Sequence, residues 1–249
     1  MRAMILAAGR GTRLRPLTDT VPKPLVEVGG RPLIEYQLRQ LRAAGADRVV
    51  VNVHHLAGAV RAALGDGSRF GLEILYSEER ELLDTGGALY QARAWLDETF
   101  LVLNSDSIHD VPLLEVLEAH RRSGGIGTWV LRDHPAAESY TLLHYDRDRR
   151  IRRFRGEPRD VPGELTAQMY AGVSAWDPRV FEYMSPGKFS LSADLVPRLL
   201  SAGEALFAFP YGGYWRVVDT PADLERAQSE IAAQRLSYLR GIDAPSETS

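Results

Sequence analysis

Two rhythms of apolar and polar positions divide this chain near residue 125. In the first half, apolar runs of strand length alternate with segments whose apolar residues recur every three to four positions. Arg2 to Ala7 is a short apolar strand running into Gly9. Pro32 to Ala44 carries Leu33, Ile34, Tyr36, Leu38 and Leu41 at helical spacing, and Gly45 closes it. Arg48 to Val53 is a valine-rich buried strand, Leu56 to Leu64 a helix and Leu72 to Tyr76 a strand. Gly87 to Leu96 predicts a helix, Phe100 to Leu103 a strand, and Leu113 to Arg122 a helix ended by Ser123-Gly124-Gly125. Such alternation implies an α/β fold with a mostly parallel sheet and helices on both faces.

Beyond residue 125 the pattern turns β-rich. Gly127 to Leu131, Tyr140 to Tyr145 and Ile151 to Phe154 are strand-like and separated by charged turns. Leu165 to Trp176 is a long extended stretch, followed by short helices over Val180 to Met184 and Leu191 to Leu200. Thr220-Pro221 opens a final helix from Ala222 to about Leu239, as a cap residue followed by proline at the first helical position. The polar tail 243–249 reads as disordered. No repeat or low-complexity linker divides the chain. One domain over 1–242 is expected, with a half over 1–125 and a second half over 126–242 that extends the sheet across the open side of the first.

Composition narrows the chemistry. With 45% hydrophobic residues over 249 positions, a sizeable core can form. A net charge of -3 lacks the basic surplus of a general nucleic-acid binder. The chain has no cysteine, which excludes disulfides and thiolate metal sites. No segment reaches the ~20 apolar residues of a membrane span, and the opening residues lack the apolar core of a secretory signal, so a cytoplasmic location is expected.

Leu6-Ala7-Ala8-Gly9-Arg10-Gly11-Thr12-Arg13-Leu14 is the most informative stretch. A buried strand runs into small residues, two glycines and closely spaced cations. Small residues let the backbone approach a ligand, so successive N–H groups can face phosphate oxygens while Arg10, Arg13 and Arg15 supply charge. A tight βα turn with solvated arginines would share the Gly-x-Gly. Pro22-Lys23-Pro24-Leu25 favours the phosphate site, because two prolines hold one lysine in a stiff segment, expected to be extended. The P-loop pattern is absent, and Leu14 stands where a dinucleotide fingerprint needs its third glycine.

Together with Pro32-Leu33-Ile34, these two motifs resemble the sugar-1-phosphate nucleotidyltransferase family. The resemblance covers most of the chain and is strongest over the first 110 residues. It implies a Rossmann-like mixed, mostly parallel sheet flanked by helices, with a β-rich sugar-binding extension: the nucleotide-diphospho-sugar transferase fold. It also implies a magnesium cofactor, with a nucleoside triphosphate and a sugar 1-phosphate as partners. By that resemblance the nucleotide is held by Leu6, Ala7, Ala8, Gly9, Gly11 and Thr12, with Arg13 and Lys23 as the catalytic cations. Thr85 and Gly86 in Asp84-Thr85-Gly86-Gly87-Ala88, and Asn104 at a strand end, join the nucleotide contacts. N-capping by Asp84 or Thr85 is the plainer reading of that turn. Glu79 lies where relatives often carry a base-reading polar residue.

Leu103-Asn104-Ser105-Asp106-Ser107 puts Asp106 at the carboxyl end of an apolar strand. Magnesium is typically held by one or two carboxylates plus substrate phosphates, and relatives carry their metal aspartate here. The second carboxylate departs from the pattern. Many members end with Trp-x-Asp-x-Gly-Thr, whereas this chain reads Trp215-Arg216-Val217-Val218-Asp219-Thr220. Asp219 could reach the ion only if the strand ends differently; otherwise it caps the last helix. Sugar-1-phosphate cytidylyltransferases show a similar Trp-x-x-x-Asp-Thr ending. For the sugar, Glu157 in Phe154-Arg155-Gly156-Glu157-Pro158 resembles the family's Glu-Lys-Pro element without its lysine, and Gly172 in Tyr170-Ala171-Gly172-Val173 resembles its Asn-Ala-Gly segment.

The arginine-rich stretch 147–155 is mixed with acids and reads as a solvated edge or a subunit contact, and a homo-oligomer is compatible with it. Neither nucleic acid nor membrane is expected as a partner. The expected reaction is in-line displacement of pyrophosphate, with UTP slightly ahead of GTP, CTP and dTTP as donor. A non-catalytic paralogue that binds nucleotide-sugars is the competing reading, resting on Val217 and the missing lysine after Glu157.

Overall fold

A computed structural model describes residues 1–134, 142–155, 157–231 and 236. The start of the strand expected from Tyr140, Gly156, the last helix past Ile231 and the polar tail lie outside the described residues.

The first strand, β1 (Arg2–Leu6), is flanked by β4 (Arg48–Val53) and β6 (Phe100–Asn104), and β4 in turn pairs with β5 (Glu73–Glu78); all these pairings are parallel. Ala3, Met4 and Ile5 are fully buried, as is Val51 beside them, because the sheet is covered on both sides. On one face pack α1 (Leu33–Ala43), α2 (Ala57–Leu64) and α4 (Leu113–Ser123), through Ile34, Leu38, Val60 and Val116. On the other pack α3 (Asp84–Gln91) and α5 (Val196–Ser201), through Leu89 and Leu199 onto Met4, Val102 and Trp176.

The second half enters the same sheet through β11 (Thr166–Trp176), which runs antiparallel to β6. Its outer edge holds β8 (Gly127–Arg132), and β12 (Leu206–Pro210) adds parallel to β8. Its first residues pair with β9 (Leu142–Tyr145), which carries β10 (Ile151–Phe154). The result is a single nine-stranded mixed sheet, parallel around β1 and antiparallel around β11.

Most expected elements are present, with differences at several boundaries. The third helix starts at Asp84 rather than Gly87, because the carbonyl of Phe189 accepts from the N–H groups of Gly86 and Gly87 and anchors the first turn. It ends at Gln91, and Arg93–Trp95 is a separate 3-10 turn. Lys23–Leu25 is a 3-10 turn too, so the expected extended segment ends at Pro22. Five strands have no counterpart among the elements expected from the sequence: β12, the short antiparallel pair β7 (Ser107–His109) and β13 (Trp215–Val217), and the two-residue pair β2 (Glu27–Val28) and β3 (Arg31–Pro32). The final helix, α6, begins at Pro221 and is described to Ile231.

A third apolar cluster sits at the carboxyl end of the sheet. Leu14, Val26, Leu33, Ile108, Val218 and Ala227 pack together there. They tie the glycine-rich loop, the lysine turn, β7, β13 and α6 into one unit.

Candidate active site

The chain leaves β1 at Leu6, and Gly11 takes a left-handed conformation at φ 62°. A Cβ there would come within 2.9 Å of Thr18 Cγ2 and 3.0 Å of Lys23 Cβ, so glycine lets the lysine turn fold against the loop. The Thr18 hydroxyl donates to the Gly11 carbonyl at 2.8 Å and fixes that approach. Leu14, fully buried, anchors the following 3-10 turn Thr12–Leu14 and leaves Arg13 exposed.

Lys23 points into the middle of the site, with its side chain 11% exposed. Its ammonium donates to Asp106 Oδ2 at 2.8 Å and to Asp219 Oδ1 in a shorter bond. Arg13 Nη2 donates to the other oxygen of Asp219 at 2.7 Å. Burial acts to lower the Lys23 pKa, but the attraction of Asp106 and hydrogen bonds to Asp106 and Asp219 outweigh it, and the net shift is upward. These side chains border a cavity of about 230 Å³, whose wall includes Ala7, Gly9, Gly11, Thr12 and Ser105.

Asp219 arrives there because the strand before it ends early. Strand β13 stops at Val217, and the Val218 N–H donates to the Asp106 carbonyl at 2.8 Å. The next residue, Asp219, therefore stands beside Asp106. It does not cap α6: Thr220 Oγ1 accepts from the Asp223 N–H at 3.2 Å, while Asp223 Oδ2 accepts from the Thr220 N–H at 2.9 Å. Val217, where the family resemblance expects an aspartate, packs instead against the apolar core.

A smaller cavity of about 160 Å³ adjoins the first through Gly9 and includes Leu6, Ala8, Glu79 and Thr85 in its wall. Thr85 Oγ1 accepts from the Leu191 N–H at 2.8 Å. A Cβ on Gly86 would overlap the Phe189 ring, and one on Gly87 would overlap the Gly187 carbonyl. The two glycines thus serve the seating of the 187–191 segment on α3; Thr85 faces the cavity and Gly86 faces Phe189.

Asn104 ends β6, and Gly172 crosses it at φ 83°, where a Cβ would lie 3.1 Å from Asn104 Nδ2. The register of β11 against β8 shifts between Tyr170 and Ser174, a bulge around this glycine. Tyr170 packs on Trp129 with ring centroids 4.3 Å apart and hydrogen-bonds Ser174 Oγ at 3.1 Å; burial raises its pKa above the ordinary phenol value.

Glu157 is not brought to this site. Phe154 and Glu157 exchange main-chain hydrogen bonds in a tight turn, which directs the Glu157 side chain outward, 67% exposed, onto Arg159 at 3.1 Å. It borders a separate cleft of about 650 Å³ between β10 and α5, which shares no residue with the Lys23 cavity.

A strand-end glycine loop, two cations and a carboxylate pair thus meet at the carboxyl end of a mixed sheet, and comparison with known proteins gives the family. The chain belongs to the nucleotidyl transferase family, whose model matches residues 2–234. It is 35% identical over 255 residues to a UTP–glucose-1-phosphate uridylyltransferase of Synechocystis sp., covering 96% of this chain and 66% of the relative. It is 34% identical over 226 residues to the mannose-1-phosphate guanylyltransferase catalytic subunit beta of Drosophila pseudoobscura pseudoobscura, covering 89% of this chain and 60% of that one. The chain thus spans less than two thirds of the length of these relatives. Among solved structures, HddC from Yersinia pseudotuberculosis superposes with a TM-score of 0.77 at 21% identity, covering 92% of this chain and 99% of that one, and shares the fold. No helix among the described residues is long and apolar enough to cross a membrane.

Proposed function

We propose that this chain is a sugar-1-phosphate nucleotidyltransferase, built as one domain over residues 1–242, that joins a nucleoside triphosphate to a sugar 1-phosphate in the cytoplasm. The observation that carries this reading is the buried Lys23 ammonium bracketed by Asp106 and Asp219, opposite the glycine-rich loop. Relatives bearing uridylyl- and guanylyltransferase names support the reaction class.

The loop from Gly9 to Arg13 takes the triphosphate, with Arg13 and Lys23 offsetting its charge. An oxygen of the sugar phosphate attacks the α-phosphorus; that P–O bond forms while the bond from the α-phosphorus to the bridging oxygen breaks. Pyrophosphate leaves with the electron pair. The attacking oxygen is already an anion near neutral pH, so no proton has to be removed by a side chain. What the protein supplies is position and charge. For the sugar, the expected residue that remains near this end of the sheet is Gly172, which crosses Asn104 at the end of β6.

Asp106 and Asp219 suit a magnesium ion. They are paired hard oxygen donors that already hold a cation between them in the form of Lys23, and no group of three or more acidic or histidine ligands occurs among the described residues. Such a pair, completed by substrate phosphates, is the usual setting for this ion. When bound, it would supply further neutralisation of the phosphate oxygens.

Pyrophosphate release, measured with a panel of nucleoside triphosphates against several sugar 1-phosphates, tests the reading. Release that requires both substrates supports it. Nucleotide-sugar binding without turnover would turn the assignment to a non-catalytic binding paralogue.

A further inference from the structure

Two histidines follow β4 and lead into α2, and both are engaged by main-chain carbonyls. His54 Nδ1 lies 3.0 Å from the Glu79 carbonyl, and His55 Nε2 lies 3.1 Å from the Thr18 carbonyl. A carbonyl oxygen only accepts, so in each ring the nitrogen facing it carries the hydrogen. The first bond ties the end of β4 to the residue after β5. The second leaves the sheet and reaches the 3-10 turn Leu17–Asp19, where Thr18 is buried.

We infer that His55 is a positioning residue for the triphosphate: through Thr18 it fixes the seat of Gly11, and with it the loop that takes the phosphates. The inference rests on the nucleotidyl-transfer reading above. The Gly11 carbonyl accepts from the Thr18 hydroxyl at 2.8 Å and from the Leu14 N–H at 2.9 Å. Thr18 Cγ2 fills the space that glycine leaves, since it would stand 2.9 Å from a Cβ at position 11. Thr18 therefore meets the loop through both branches of its side chain, while His55 holds its main chain. Arg13 lies in the 3-10 turn that starts after Gly11, and Lys23 Cβ would be 3.0 Å from the same Cβ position. Both cations thus share the seat that Thr18 sets. Neither His55 nor Thr18 borders the Lys23 cavity, so their effect is one of placement. Placement matters here, because a shift of ~1 Å at a reacting centre can cost ~10² in rate.

The test is calorimetric binding of magnesium–UTP, magnesium–GTP and inorganic tripolyphosphate, with kcat and the KM of each substrate from pyrophosphate release. His55→Leu removes the donor. His55→Gln returns an N–H as many bonds from the main chain as ring Nε2. His55→Leu is expected to weaken tripolyphosphate and the nucleotides alike, by about 10-fold, as for one lost hydrogen bond. It should raise KM for the triphosphate and leave KM for the sugar 1-phosphate unchanged, and His55→Gln should restore most of the affinity. Thr18→Val keeps the methyl and loses the hydroxyl. It should give the same weakening, and the double variant no more than either alone. Unchanged triphosphate affinity in His55→Leu, even with a lowered Tm, would overturn the inference and leave nucleotidyl transfer standing. Binding without turnover would overturn nucleotidyl transfer instead, and the affinity series would still decide the role of His55. If His55→Leu fails to fold, Thr18→Val decides by the same outcomes.

Discussion

The main-chain N–H of Val218 donates to the carbonyl of Asp106 at 2.8 Å. Through that bond the β7–β13 ribbon sets Asp219 next to Asp106, with Lys23 between their carboxylates. Val217, where the family resemblance expects an aspartate, packs against the core. The carboxylate that stands beside Asp106 is instead that of Asp219, two residues further along the chain.

Removing either carboxylate should therefore slow turnover strongly without unfolding the chain. Asp106→Asn and Asp219→Asn are each expected to lower kcat by about 10² or more. Steady-state pyrophosphate release, with circular dichroism as the folding check, measures this. A Val217→Asp variant is expected not to rescue Asp219→Asn, since residue 217 packs against the apolar core.

Lys23→Met should cost on the order of 10²–10³ in rate. It should also change the alkaline limb of stability. The folded-state pKa of Lys23 lies above its ordinary 10.5. Its ammonium therefore stabilises the fold fully below the unfolded value and stops doing so as pH rises through the folded one. The Tm gap between wild type and Lys23→Met is expected to narrow above about pH 10.5. A gap that stays constant from pH 9 to 12 would contradict the ion-pair assignment.

Asn52→Ala removes the partner of two buried groups, the Ala7 N–H and one Glu79 oxygen. Unsatisfied polar groups of this kind cost about 1–3 kcal/mol each. Denaturant unfolding should show a lower midpoint with an unchanged slope.

Gly87→Ala drives a methyl group into the Gly187 carbonyl, a main-chain group that cannot rotate aside. A destabilisation of about 1–3 kcal/mol is expected, with the 187–191 segment loosened from α3. Hydrogen exchange at the Gly86 and Gly87 amides, both bonded to Phe189, reads the loosening directly.

Sequence alone reached Lys23 and Asp106 because their signals are local: glycines where the backbone turns, prolines around one lysine, an aspartate closing an apolar strand. Asp219 was harder. Its place depends on β7 and β13, three residues each, which pair across more than a hundred positions and leave no periodic trace. Gly86 and Gly87 read as a nucleotide turn, yet their smallness serves the seating of Phe189 and Gly187, contacts that no local pattern encodes. Glu157 matched a motif, but the Phe154–Glu157 turn carries it to another surface. The parallel half of the sheet was legible in its apolar runs. The forked pairing of β11 with β6, β8 and β9 was not, since one eleven-residue extended stretch looks the same whatever its partners.

The most direct test of the whole account is diffraction from crystals soaked with a nucleoside triphosphate and manganese, collected at the metal's absorption edge. An anomalous peak bound by Asp106 and Asp219, with the phosphates along Gly9 to Arg13 and Lys23 turned onto them, is the expected result. A metal peak elsewhere, or a nucleotide outside this cavity with Lys23 still locked to both carboxylates, would contradict it.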